Sequence, residues 1–218
     1  MDRKLKLTED GSHTIFVPEL GEHYHSIHGA VTESEWIFLD AAFQFSTKQR
    51  VRVLEFGMGT GLNVLLTYIR ATRQNREVYY HTIEKYPVTK PEVEMLNLTD
   101  LTGCADPHVF QKIHSIPWGT YSSLSPAFTL FKEQADFRNA SPVGTFDVIY
   151  FDAFAPEVQP ALWSSGMFKK IYELAAQDAV LTTYSVKGSV KRNLVSAGFR
   201  IEKLPGPPGK REFLRALK

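Results

Sequence analysis

Short apolar runs of strand length alternate along this chain with segments of helical period, an order that predicts an α/β fold with a mainly parallel sheet. The clearest run, Val51–Phe56, ends at glycines. Behind it, Gly61–Ile69 is apolar nearly all round, as a helix packed into a sheet is. Further strands are predicted at Val78–Ile83, Phe128–Phe131, Phe146–Phe151 and Ala179–Tyr184. Phe199–Leu204 and Glu212–Leu217 complete a set of seven, joined by a loop containing Pro205, Gly206, Pro207, Pro208 and Gly209 as a hairpin-like ending. Thr32-Glu33-Ser34-Glu35 has the form of a capping box, with Val31 and Trp36 as its staple and Trp36, Leu39 and Phe43 at helical spacing. Ser189 is placed to cap a helix carrying Val190 and Leu194 and stopping at Gly198. The stretch from Pro87 to Pro126 is expected to hold two helices and a loop. One domain is expected, with 1–45 as an N-terminal extension or lid and 46–218 as the core.

Composition narrows the class. With 43% hydrophobic and 22% charged residues among 218, the chain is that of a folded globular protein. Mean hydropathy is −0.21, and no apolar stretch approaches the roughly 18 residues of a membrane span. The start, Met1-Asp2-Arg3-Lys4-Leu5-Lys6, is charged and lacks the apolar segment of a secretory signal, so a cytoplasmic location is expected. The single cysteine, Cys104, excludes an internal disulfide framework and a cysteine-based zinc site. His23, His25 and His28 lie close together without a metal-ligand spacing, and no metal is expected. The net charge of +1 hides an asymmetry: Val186 to Lys218 carries nine basic residues against Glu202 and Glu212, a net +7, leaving −6 for the rest. Such an excess can mark a polyanion-facing surface, though a charge excess taken alone is more often a solvated face.

The chemistry begins at Glu55-Phe56-Gly57-Met58-Gly59-Thr60-Gly61, between a strand and a helix. Glycines let the backbone turn sharply and approach a ligand closely. A dinucleotide fingerprint would put its third glycine at 62, where this chain has Leu62. Glu55 would repel a pyrophosphate and accept hydrogen bonds from an ammonium group. Glu84, at the end of the second strand, is placed to take both ribose hydroxyls of a nucleoside. Gly57, Gly59, Gly61, Asn63, Glu55 and Glu84 together suit S-adenosylmethionine, which has an ammonium, a sulfonium and a ribose but no phosphate. Glu133, beyond the third strand, is a candidate for the adenine amino group, though its spacing fits a surface glutamate as well.

The fourth strand runs into Asp152-Ala153-Phe154-Ala155-Pro156, followed by Gln159, Pro160 and Trp163. Reversal of sheet order between the first and fourth strands would put both strand ends at one crevice. Asp152 then lies beside the cofactor's reactive end, able to orient an amine or accept its proton, with Phe154 and Pro156 as a dry wall. A plain turn-capping Asp152 with core aromatics is the competing structural role.

The segments YHSIHGAVTESEWIFLDA, VLEFGMGTGLN, TIEKYP, FDAFAPEVQPALW and GKREFLRAL resemble, in that order, the methyltransferase part of the tRNA 5-methylaminomethyl-2-thiouridine biosynthesis family, MnmC, or MnmD when freestanding. The resemblance spans about residues 12–218. It departs from the family's pattern at Gln159 and at Lys132-Glu133.

The resemblance implies a Rossmann-like class I methyltransferase with helices on both faces of the sheet and S-adenosylmethionine as cofactor. It implies N-methylation of 5-aminomethyl-(2-thio)uridine at the tRNA wobble position. It also implies a freestanding form whose aminomethyl substrate comes from a separate enzyme. Tyr24, Ser26, Trp163, Lys210 and Arg211 are the candidate substrate and tRNA residues, the last two for anticodon-arm phosphates. A methyltransferase or aminopropyltransferase acting on a small amine would share the glycine loop. An oxidoreductase is disfavoured by the glycine spacing, and a non-catalytic cofactor-binding module would leave Asp152 dispensable.

Overall fold

Residues 2–218 are described by the computed structural model. Strands β1 (Lys4–Leu7), β2 (His13–Val17) and β3 (Glu22–His23) form a small antiparallel sheet in sequence order. These strands, of four, five and two residues, are too short for a period-two pattern to mark them, and the sequence did not predict them. Arg3 ties the sheet down, donating to the Pro87 carbonyl at 3.0 Å and to Glu92 at 3.1 Å. Asn97 adds a second tie, accepting from the His13 N–H and donating to the Gly11 carbonyl, each at 2.8 Å.

Helix α1 (Ala30–Ser34) continues without a break into π-helical turns over Glu35–Phe43. The predicted capping box does not form. The helix starts earlier, after Gly29, and its free N–H groups are met from a distance. Ala30 N–H donates to Ser12 Oγ at 3.1 Å, and Thr32 donates through N–H and hydroxyl to Asp10 Oδ2 at 3.0 and 2.9 Å. Burial works against the Asp10 carboxylate, but hydrogen bonds from Ser12, Thr32 and Thr8 outweigh it and hold its pKa at about 2. In the π segment the i→i+5 bonds widen each turn, so the predicted Trp36–Leu39–Phe43 face is broken. Leu39 and Phe43 are fully buried, while Trp36 is exposed and donates to the Pro205 carbonyl at 2.9 Å.

The main sheet holds β4 (Arg50–Phe56), β5 (Glu77–Glu84), β6 (Tyr121–Ser125), β7 (Phe128–Gln134), β8 (Phe146–Phe151), β9 (Ala175–Thr183), β10 (Arg200–Pro205) and β11 (Glu212–Leu217). Their order is β10-β11-β9-β8-β4-β5-β7-β6. The five central strands pair in parallel. β6 and the β10–β11 hairpin pair antiparallel at the edges. All seven predicted strands are present, and the eighth, β6, is a polar edge strand with one buried residue, Leu124.

Alternation along β4 sorts the layers. Val51 and Val53 face a cluster with α2 (Leu62–Arg73) and the π-helical segment, whereas Leu54 and Phe56 face the opposite cluster. The 87–126 stretch holds α3 (Lys90–Met95), α4 (Leu98–Thr102) and α5 (Val109–Ser115), three short helices rather than two, besides β6. The opposite face carries α6 (Ser165–Leu174) and α7 (Gly188–Ala197). α7 begins after Lys187, so Ser189 lies inside the helix and does not cap it; Gly198 does end it, in the left-handed region at φ 113°.

Arg76 is buried and pairs with no carboxylate among the described residues. Its guanidinium donates to the carbonyls of Phe43, Ser46 and Lys48, each at 2.9 Å, closing the end of the π-helical segment. Replacing it by methionine leaves these carbonyls without donors. Arg76→Met is therefore expected to cost about 3 kcal/mol and lower Tm by roughly 6–12 °C. A fall under about 2 °C in a thermal melt would remove this structural role.

Candidate active site

The strand order reverses between β4 and β8, so their carboxyl ends open side by side. Phe56 pairs with Phe151, and the Asp152 N–H donates to the Phe56 carbonyl at 3.0 Å. A Cβ on Gly57 would stand 2.5 Å from the Asp152 carbonyl oxygen, and Gly57 also has φ of 98°. Only glycine fits there. A Cβ on Gly59 would stand 2.7 Å from the Tyr24 ring. Between Gly59 and Gly61 the loop is gripped at Thr60. His25 Nε2 lies 2.7 Å from its hydroxyl, and His114 Nε2 donates to its carbonyl at 3.0 Å. Burial pushes both imidazoles down to about 4, so each is neutral at neutral pH.

These elements surround a cavity of about 730 Å³, within the range of small-molecule sites. Its wall includes Gly57, Gly59, Glu84, Asp152 and Phe154 from the strand ends, and Tyr24, Ser26 and Lys210 from the flanking segments. Glu84 accepts from the Gly59 N–H at 3.1 Å and the Tyr86 N–H at 2.8 Å. Tyr24 meets Phe154 edge-on at 5.2 Å, joining the N-terminal segment to the loop after β8.

Seven other predicted residues lie off the wall. Glu55 is fully buried beneath the loop; Thr82 donates to its Oε2 at 2.7 Å, and its Oε1 has no donor. Burial lifts its pKa to about 7. Gly61 packs against His114 at the start of α2. Asn63 acts behind the wall, donating to Asp152 Oδ2 at 3.1 Å. Glu133 is turned away, accepting from His81 at 2.9 Å and the Ser141 N–H at 3.2 Å. The wall there is supplied three residues later, by Asp136, Phe137 and Arg138. Pro156 sits just outside the wall segment 152–155. Trp163 is buried and donates to the Phe154 carbonyl at 2.8 Å, holding the loop rather than touching a ligand. Arg211 is exposed.

Burial pushes the Asp152 carboxyl well above the usual carboxylate range, helped by Glu33 and Glu55 and opposed by Asn63 and Lys210. Glu33 and Tyr184 also line the cavity, and the sequence did not mark them as site residues. Glu33 was hidden in the supposed capping box and Tyr184 at the end of a strand. Their placement depends on contacts far along the chain.

The basic C-terminal excess is largely consumed internally. Lys187 pairs with Glu157, Arg200 and Arg215 with Glu202, and Lys203 with Glu212. Lys210 pairs with Glu33 inside the cavity. The clustered histidines are likewise spoken for: His25 by Thr60, His28 by Glu9 at 3.0 Å, and His23 by stacking on Phe16.

Residues 130–218 match a family described as S-adenosyl-L-methionine-dependent methyltransferase. MnmC, the tRNA 5-methylaminomethyl-2-thiouridine biosynthesis bifunctional protein, is 31% identical in Paracidovorax citrulli, over 93% of this chain and 34% of that protein. The Burkholderia vietnamiensis MnmC is also 31% identical, over 94% of this chain and 33% of its own length. Over residues 130–218 the chain is similar to the S-adenosyl-L-methionine-dependent methyltransferases, a family whose cofactor is S-adenosylmethionine. Over most of its length it aligns with MnmC proteins, as the sequence segments anticipated. The chain spans about a third of the length of the curated relatives it matches. A crystal structure of MnmC2 from Aquifex aeolicus shares this fold with a TM-score of 0.78, at 22% identity over 99% of this chain and 70% of that one. Spermidine synthase from Thermotoga maritima shares it more distantly, with a TM-score of 0.56 at 13% identity, over 100% of this chain and 71% of that one. Among the described residues, no helix is long and apolar enough to cross a membrane.

The residues of the cavity fit S-adenosylmethionine. The glycine loop leaves bare backbone beside Glu84, and the donorless Glu55 oxygen keeps the ground beneath it receptive to positive charge. Gly57→Ala is expected to force the loop away from Asp152, costing about 1–3 kcal/mol and weakening S-adenosylmethionine binding by about tenfold or more. Calorimetric titration checks this; a variant binding as tightly as wild type would show that the close approach is unimportant.

Proposed function

We propose that this chain transfers a methyl group to the primary amine of 5-aminomethyl-(2-thio)uridine at the wobble position of tRNA, giving 5-methylaminomethyl-(2-thio)uridine. The names of its MnmC relatives support the substrate, and one feature supports the reaction: Asp152, at the reversal of strand order, faces the cavity with a carboxyl that holds its proton more strongly than usual. When bound, S-adenosylmethionine would supply the electrophilic methyl of its sulfonium, the C–S electron pair staying with sulfur as the leaving group. Gly57, Gly59 and Glu84 would hold it, Glu84 offering acceptors for the ribose hydroxyls. A primary ammonium has no lone pair, so its proton must leave before attack. Ionised Asp152, fixed by Asn63, orients the amine and accepts that proton; its raised pKa makes it a better base than an ordinary aspartate. Phe154 and Tyr24 narrow the cavity around a flat base. Glu133 is not assigned to the adenine, since His81 and Ser141 occupy it.

The tRNA anticodon arm approaches the cavity mouth. Lys191, Arg192 and Arg211, which have no acidic partner among the described residues, are the cations left for its phosphates. A separate enzyme supplies the aminomethyl group, and the reaction takes place in the cytoplasm with the tRNA.

The test is transfer of labelled methyl from S-adenosylmethionine into tRNA from cells lacking the activity, followed by nucleoside analysis. Label on the aminomethyl nitrogen of wobble uridine is expected. Unlabelled tRNA with labelled small amines would replace the substrate assignment.

Asp152→Asn is expected to lower kcat by about 100-fold or more while cofactor affinity stays near wild type. Because the Asp152 pKa is raised, wild-type kcat/KM should climb with pH as Asp152 ionises, and the variant should lose that limb. Unchanged turnover in Asp152→Asn would refute the role of Asp152.

A further inference from the structure

Within the cavity, one lysine has surroundings that the methyl-transfer reading leaves unused. Lys210 Nζ lies 3.0 Å from Glu33 Oε1 and 4.8 Å from the centre of the Tyr184 ring. Lys210, Glu33, Tyr184 and Asp152 all line the cavity. Glu33 is fixed from behind, its Oε2 accepting the Ser26 N–H at 2.9 Å. Its Oε1 is shut from solvent and has no aligned hydrogen-bond donor, so Lys210 gives it charge compensation without a well-directed hydrogen bond. A carboxylate oxygen in that state has unused accepting capacity. The Tyr184 ring is fixed too, its hydroxyl donating to the Ala153 carbonyl at 2.8 Å. A primary alkylammonium thus rests between a carboxylate and an aromatic face, the surroundings that recognise such a cation.

We propose that Glu33, Tyr184 and Asp152 form a primary-ammonium subsite in which Lys210 is a displaceable resident, and that Glu33 selects the aminomethyl acceptor by its charge. The inference rests on the acceptor reading above and deepens it. Lys210 comes from the loop between β10 and β11, so its side chain leaves the subsite without disturbing a strand. When the acceptor's ammonium enters, one cation replaces another and Glu33 keeps a counter-charge. A hydroxymethyl or carboxymethyl group in the same place offers none. Displacing Lys210 would then leave Glu33 without a counter-charge, a costly state for a carboxylate whose Oε1 is shut from solvent. The subsite therefore rejects wrong substituents as well as holding the right one.

The test compares binding of 5-aminomethyluridine and 5-hydroxymethyluridine, each in the same short anticodon-arm RNA, to the protein saturated with S-adenosylhomocysteine. Wild type, Glu33→Gln and Lys210→Met are measured by calorimetry, with S-adenosylhomocysteine affinity reporting that each variant is folded. Wild type is expected to prefer the amine by about tenfold or more, and Glu33→Gln to lose most of that preference. Lys210→Met, lacking the resident cation, is expected to increase it. A folded Glu33→Gln with the wild-type preference overturns the proposal. If Glu33→Gln does not bind S-adenosylhomocysteine, Lys210→Met decides: a higher amine preference supports the subsite, and an unchanged or lower one overturns it. Wild type that prefers the amine but transfers no methyl to it would remove the acceptor reading and leave the ammonium subsite standing.

Discussion

The site depends on the contact between the ends of β4 and β8. Parallel pairing carries Phe56 alongside Phe151, and the backbone of Asp152 hydrogen-bonds back to Phe56. The two chains then separate around a gap that any Cβ on Gly57 would close. Everything chemical in the cavity is referred to that junction. The glycine loop leaves it on one side and the Asp152 loop on the other, and each is pinned from outside. His25 and His114 hold Thr60, while Trp163 and Tyr184 hold the carbonyls of Phe154 and Ala153. Preorganisation of this kind places a reacting nitrogen without reordering at the moment of reaction.

Electrostatics gives the cavity its second property. Asp152 and Glu33 on the wall and Glu55 buried beneath it crowd three carboxyl groups at one end of the cavity; burial and this crowding raise the proton affinity of Asp152, and Lys210 pairs with Glu33. A low-dielectric pocket magnifies such an arrangement. Burial raises the proton affinity of Asp152, which suits it to the proton exchange that the proposed reaction requires. The sequence-level charge asymmetry pointed instead to a basic face, but ion pairs with Glu157, Glu202, Glu212 and Glu33 neutralise much of it.

The legible parts of the fold were those written in local pattern. The Val51–Phe56 run, its glycines and the apolar helix behind them give a strand–loop–helix unit, and the order of the later strands gives the sheet. Thr32–Glu35 misled because the true N-terminal partners of α1 are Asp10 and Ser12, a separation no local motif encodes. Trp36 misled because the helix is π-wound at that point. Within the site, Asp152, Glu84, Gly57 and Gly59 could be placed because they stand at strand ends and turns. Glu33 and Tyr184 could not, and Lys210 was named for anticodon-arm phosphates rather than for the cavity, since each reaches it from a different element and only the packed chain brings them within one cation's reach.

A crystal structure of the protein with S-adenosylhomocysteine and an anticodon arm bearing 5-aminomethyluridine tests the central claim most directly. The account predicts the aminomethyl nitrogen within hydrogen-bonding distance of Glu33 and Asp152, with the Lys210 side chain turned out of the cavity. An aminomethyl group bound away from Asp152, with the Glu33–Lys210 pair still closed, would contradict it.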